Sequence, residues 1–168
     1  MPALKGAFVT LTNTTTAEDQ LAQLGIHLPD APMPFGAYVP AVQTGTLVFL
    51  SGMLATSGHA ATVVGIVGKD LDVKAGREAA YTAALNALAL IRKQLSSLDR
   101  VSRVVRLGVY IAATAAFTEH PKVADAASEL LRDVFGERTV SSRLVFGVAS
   151  LPLGSPVEPE IILEVKGA

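Results

Sequence analysis

The chain predicts an α+β sandwich, a mixed sheet with two helices packed on one of its faces. Three observations carry that prediction. Apolar extended runs and helical periods follow in the order strands, helix, strand, helix, two strands. The longest helical stretch, 74–95, repeats Ala80, Ala84, Leu88, Ile91 and Leu95 at a spacing that defines one buried face. The alanines on that face allow a close approach to a sheet.

Ala3 to Thr12 reads as a short strand. The hydroxyls of Thr14, Thr15 and Thr16, acids at Glu18 and Asp19, and a stop at Gly25 then mark a short helix. Prolines at 29, 32 and 34 make 27–34 an irregular connector. Thr46 to Ser51 is a continuous apolar run, expected as a strand buried on both faces and ended by Gly52. Ser57-Gly58-His59 reads as a turn, with Val63 to Val67 as a short return strand. After the long helix, Arg103 to Ala112 is the third long strand. Phe117 leads into a second helix over about 119–134, with Thr118 or His120 as its cap, Pro121 tolerated in its first turn and Gly136 at its end. Runs at 143–149 and 158–165 are expected to be adjoining strands that complete the sheet.

At 168 residues the chain fits one domain. It is 50% hydrophobic and 17% charged, with a mean hydropathy of +0.43. No apolar run reaches the roughly 18 residues that a membrane helix needs. The apolar excess is therefore assigned to contacts between copies in a homo-oligomer, which would cover the second sheet face; a tightly packed monomer is the alternative. A net charge of −1 lacks the basic excess of a nucleic-acid binder. The absence of cysteine removes disulfides, thiolate zinc sites and a cysteine nucleophile. The N-terminus has no apolar signal core, which points to the cytoplasm.

No metal is expected, because His27, His59 and His120 stand in no ligand spacing. The glycines form no phosphate loop, and Ser51-Gly52 lacks the nucleophile elbow of a serine hydrolase. Arg100, Arg103 and Arg106 read as a solvated edge, with Arg103 and Arg106 on opposite faces of their strand. The C-terminal segment is more informative. Arg143 opens one apolar run, and Val157-Glu158-Pro159-Glu160 opens the next. A guanidinium grips a carboxylate through a planar fork of donors, and a nearby carboxyl moves protons. Together they point to a site that holds a carboxylic acid and performs acid–base chemistry on it. An ordinary cross-strand ion pair, worth about 0–1 kcal/mol if exposed, is the plainer reading.

From Arg143, the pattern Arg-x-x-x-x-x-Val-x-x-Leu-Pro followed by Val-Glu-x-Glu resembles the C-terminal signature of the RidA/YjgF family, the reactive-intermediate deaminases once labelled endoribonuclease L-PSP or translation inhibitors. Upstream, Gly36-Ala37-Tyr38-Val39-Pro40-Ala41-Val42 resembles the family's Gly-Pro-Tyr-Ser-x-Ala-Val segment, and Gly45 with Leu47 to Gly52 resembles its strand ending in Ser-Gly. The resemblance covers roughly residues 30–166, so 31–168 is the family-like domain and 1–30 an N-terminal extension with a short helix.

The resemblance implies a chorismate-mutase-like fold and a homotrimer whose sheets form a central barrel, with sites in the clefts between subunits. It implies hydrolysis of small 2-imino or enamine acids to 2-keto acids and ammonia, without cofactor. Arg143 matches the arginine that grips the substrate carboxylate, and Glu158 the glutamate that places water and relays protons. Tyr38 matches a cleft tyrosine, and Gly52 the glycine that lets substrate approach the backbone. Val145 stands where the family often has cysteine, whose backbone carbonyl makes the contact. Met53 replaces a common glutamine, Gly147 a frequent glutamate, and Pro159 interrupts Val-Glu-x-Glu. The expected partners are a small carboxylate and further copies of the chain, with no membrane and no nucleic acid. A non-catalytic trimer that binds small carboxylates is one alternative, and a ribonuclease or translation inhibitor another.

Overall fold

The computed structural model describes residues 15–137 and 141–167. The strand expected over 3–12 lies outside them. Helix α1 (Ala17–Gln23) starts at Thr16, whose hydroxyl accepts from the Asp19 amide while the Asp19 carboxylate accepts from the Thr16 amide, a reciprocal capping box. Gly25 follows at φ 65. Leu21 inserts into the core, and Glu18 ties the helix down by a two-pronged ion pair with Arg92 and a bond from the Leu98 amide.

Strands β1 (Ala41–Thr44) and β2 (Leu47–Leu50) form a hairpin that turns at Gly45, φ 57. A second small hairpin pairs β3 (Thr56–Ser57) with β4 (Ala60–Ala61) around Gly58. The return stretch therefore comes earlier than 63–67. Gly65 at φ 140 and Gly68 at φ 86 break that run, and of it only Val67 makes bridges, to Leu71 and Ala113.

Helix α2 (Val73–Leu95) is capped by Asp72 and buries all five residues expected on its inner face. After β5 (Val101–Ala112), helix α3 (His120–Phe135) begins without a side-chain cap. Glu119 holds the cap position, so neither Thr118 nor His120 does that job; Gly136 ends the helix as expected. Strands β6 (Ser142–Val148) and β7 (Val157–Val165) follow.

The main sheet has the order β1-β2-β7-β5-β6. The last two strands are thus not neighbours. The crossover through α3 lays β6 parallel to β5, and β7 returns antiparallel on the other side of β5. Helices α2 and α3 pack on one face. Val157, Pro159, Ile161, Leu163 and Val165 alternate toward them and are buried. Glu158, Glu160, Ile162 and Glu164 point to the open face. So does Phe49, 40% exposed, which corrects the expectation that its strand is buried on both sides. Leu144 and Phe146 extend this open apolar face. Register shifts at Ser102 and Val105 bring Arg103 opposite Glu164 and Arg106 opposite Ile162, so both arginines share the open face rather than opposing ones.

Candidate active site

Glu158 lines a cleft at the end of β2. Its side chain leaves the open face of β7 in register with Tyr110 and lies against Gly52 at the end of β2. A β-carbon at Gly52 would come within 2.7 Å of the Glu158 carboxyl carbon, so only glycine leaves room for this approach. No hydrogen-bond or ion-pair partner holds the Glu158 carboxyl among the described residues. Burial raises its pKa above the ordinary carboxylate value, since desolvation penalises the charged form.

Pro159 explains why the cleft exists. The register of β2 on β7 places Gly52 opposite Pro159 when extended. Instead the Met53 amide donates to the Pro159 carbonyl at 2.8 Å, so Gly52 and Met53 together face one residue of β7. The N–H that proline lacks would have pointed to this same side. The ladder therefore opens beside Glu158, while Ser51 keeps the register of the β1–β2 hairpin, its amide donating to the Pro40 carbonyl and its hydroxyl to that of Val39. Below, the buried Asn86 amide on α2 donates to the carbonyls of Leu54 and Thr56 and fixes the cleft floor.

The cleft measures about 440 Å³. Pro32, Met33, Pro34, Phe35, Gly36 and Tyr38 form one wall, and Leu153 with Pro152 the other. Tyr38 is half exposed, and its hydroxyl accepts from the Phe35 amide. Leu153 sits at φ 58, a left-handed conformation that costs a non-glycine residue about 1–2 kcal/mol. That strain turns a leucine side chain, 47% exposed, onto the cleft.

Tyr38, Gly52, Met53 and Glu158 thus converge on one cleft. Arg143 and Val145 do not join them within one chain. In register with Leu107 and Val109, they lie on the helix side of the edge strand β6, with β5 between them and β7. The Arg143 guanidinium donates to Asp125 at 2.7 Å and to Ser128 at 3.0 Å, both on α3. Further along, His120 fills the space over Gly147, where a β-carbon would lie 2.5 Å from Nε2. Sequence reading missed Asp125, Ser128 and the apolar wall at 32–35. An Asp and a Ser three apart on a helix are too common to signal a guanidinium cradle. The proline cluster marked a connector but not its position over Glu158.

Among the described residues, no group of three or more His, Cys, Asp or Glu side chains could hold a metal ion. No helix among them is long and apolar enough to cross a membrane.

Comparison with known proteins bears on the family and the fold. Residues 18–162 match the family model described as "YjgF/chorismate_mutase-like, putative endoribonuclease". The chain is 38% identical to Protein TCP17 of Trypanosoma cruzi, over 87% of this chain and 92% of that protein. It is 29% identical to a 2-iminobutanoate/2-iminopropanoate deaminase of Dermatophagoides farinae, over 84% and 95% of the two chains. A solved Shewanella oneidensis chain carrying the same endoribonuclease description superposes with a TM-score of 0.85 at 30% identity, covering 89% of this chain and 99% of that one.

Proposed function

We propose, for a chain that belongs to the YjgF/chorismate-mutase-like family, that it hydrolyses 2-imino acids and their enamine tautomers to 2-keto acids and ammonia. The observation that carries this reading is the unpartnered, half-buried Glu158 carboxyl seated on Gly52 at the base of a cleft. Such a group can take a proton from water and deliver it to nitrogen. The name of the Dermatophagoides relative points to the same chemistry.

In this mechanism water adds to the C=N carbon while Glu158 accepts its proton and passes it to nitrogen. The resulting carbinolamine collapses as Glu158 moves the hydroxyl proton to the amine. The C–N bond breaks, ammonia leaves and the carbonyl forms, with Glu158 restored. Imines hydrolyse readily in water, so positioning and one proton relay supply the modest barrier reduction required.

Arg143 binds the substrate carboxylate in this reading, and the strand order dictates how. It lies across β5 and on the opposite sheet face from Glu158, so the two meet only when they come from different copies. The unpaired edge of β6 and the open apolar face carrying Phe49, Leu144 and Phe146 are the surfaces such copies would cover. The assembly proposed is a homotrimer.

The test is formation of keto acid from 2-iminobutanoate above the spontaneous background. Acceleration by the parent protein and its loss in Glu158→Gln support the reading; an unaccelerated reaction in the parent refutes it. The Arg143–Asp125 ion pair favours a second reading, a binding protein whose guanidinium is already engaged. Binding of 2-ketobutanoate without acceleration of the imine selects it. A ribonuclease role is disfavoured by the net charge of −1, which lacks the basic excess that a phosphate backbone calls for.

A further inference from the structure

We propose that the Glu158 cleft selects imino acids with large apolar side chains, of the leucine or phenylalanine type, over those derived from alanine. This inference rests on the deaminase reading and narrows its substrate class. Three observations lead to it. The first is size. At about 30 Å³ per water-sized group, 440 Å³ holds on the order of fifteen such groups. 2-Iminopropanoate has about six heavy atoms on that same scale, so the cleft keeps room for a longer side chain beside the arginine that a neighbouring copy would bring.

The second is chemistry. Hydroxyls of Tyr38, Ser51 and Thr56 line part of the cleft, but most of its wall is apolar: Met33, Phe35, Met53 and Leu153 supply thioether, ring and branched-chain surface. Met53 is 6% exposed, and the buried chain beneath the cleft offers no side-chain hydrogen bond at this position. A substrate hydroxyl or amide directed here would lose its hydration without compensation. An alkyl or aryl group would be transferred from water to apolar contact.

The third is backbone conformation. Leu153 is held at φ 58, where glycine would be the unstrained choice, and its side chain lies on the cleft. A leucine retained at that position supplies contact area that glycine would not. Met33 and Phe35, 61% and 43% exposed, face it from the proline-rich segment. An apolar slot thus lies between the two, with the proton-transfer group at its base.

The experiment uses imines generated in place by an L-amino-acid oxidase from L-leucine, L-phenylalanine, L-2-aminobutyrate and L-alanine, with keto acid followed against the spontaneous rate. Each added methylene is worth about fourfold, so kcat/KM should rise roughly 50-fold from the alanine-derived to the leucine-derived imine. Leu153→Gly removes the side chain at a position glycine accepts without strain, so the variant should fold. It should lower the leucine-to-alanine ratio about fivefold, and Phe35→Ser should act in the same direction. Equal acceleration of all four imines overturns the substrate class while leaving the deaminase reading intact. An unchanged ratio in Leu153→Gly also overturns it. Acceleration of none refutes the deaminase reading, and this inference with it.

Discussion

Gly52 and Glu158 occupy each other's space: the carboxyl group lies where the first carbon of any other side chain at position 52 would be. The clash falls on the far end of a flexible side chain. Gly52→Ala should therefore displace the carboxyl rather than unfold the protein. The expected outcome is a loss of about 10²-fold or more in kcat/KM for imine hydrolysis, the scale of one misplaced general acid–base group. Thermal unfolding should move by no more than a few degrees. Activity retained at the parent level would remove Glu158 from the mechanism.

Burial holds the Glu158 carboxyl above its ordinary pKa, so the native chain binds this proton more tightly than the unfolded chain does. The corresponding stability is present below the unfolded-state value of about 4.3 and is lost as pH rises through the native one. Glu158→Gln cannot ionise. Its melting temperature relative to the parent should be lowest near pH 4 and should climb toward pH 8. Melting curves across that range check the sign; a variant melting temperature that falls relative to the parent as pH rises would contradict the burial argument.

Arg143→Ala should lower kcat/KM about 10- to 150-fold if the guanidinium grips the substrate carboxylate. Its ion pair with Asp125 is partly exposed, 27% and 43%, so solvent screening limits the contribution of that pair to about 1 kcal/mol or less. Asp125→Asn should thus change melting little while altering KM, because the guanidinium loses its anchor. Steady-state kinetics on the two variants separate grip from scaffold.

Asn86 is 2% exposed and donates to two backbone carbonyls beneath the cleft. Asn86→Leu would leave the Thr56 carbonyl buried without that donor, while Leu54 keeps the Thr56 amide, at a cost of about 1–3 kcal/mol. Melting should fall by roughly 2–4 °C per kcal/mol for a chain of this size. A scan of the purified variant measures it directly.

Phe146 stacks on Tyr110 on the open face of the sheet, with ring centroids 6.2 Å apart, and is half exposed. Phe146→Glu places a charge on the surface that neighbouring copies are proposed to cover. Sedimentation should show a trimer for the parent and smaller species for the variant. A parent that sediments as a monomer would remove the shared-site mechanism.

Much of the fold was legible because it rests on local patterns. The alanine-leucine stripe of α2, the threonine hydroxyl cap of α1 and the glycine after α3 each act within a few residues, and each stands where the sequence places it. The strand order was not legible. Adjacent runs at 143–149 and 158–165 read as neighbours, but pairing is decided by the crossover through α3, a long-range contact without a local signature. The same limit explains the site. Gly52 and Glu158 were readable through their motif residues; the cradle of Arg143 and the wall of Met33 and Phe35 arise from segments that only the fold brings near.

Pro159 gives the molecule a gap made by its main chain. Neither the rings nor the thioethers around the aperture prop it apart; a missing donor in the middle of the sheet does. The surrounding side chains can therefore be exchanged one after another without the mouth zipping shut, while the Glu158 carboxyl beneath stays in place.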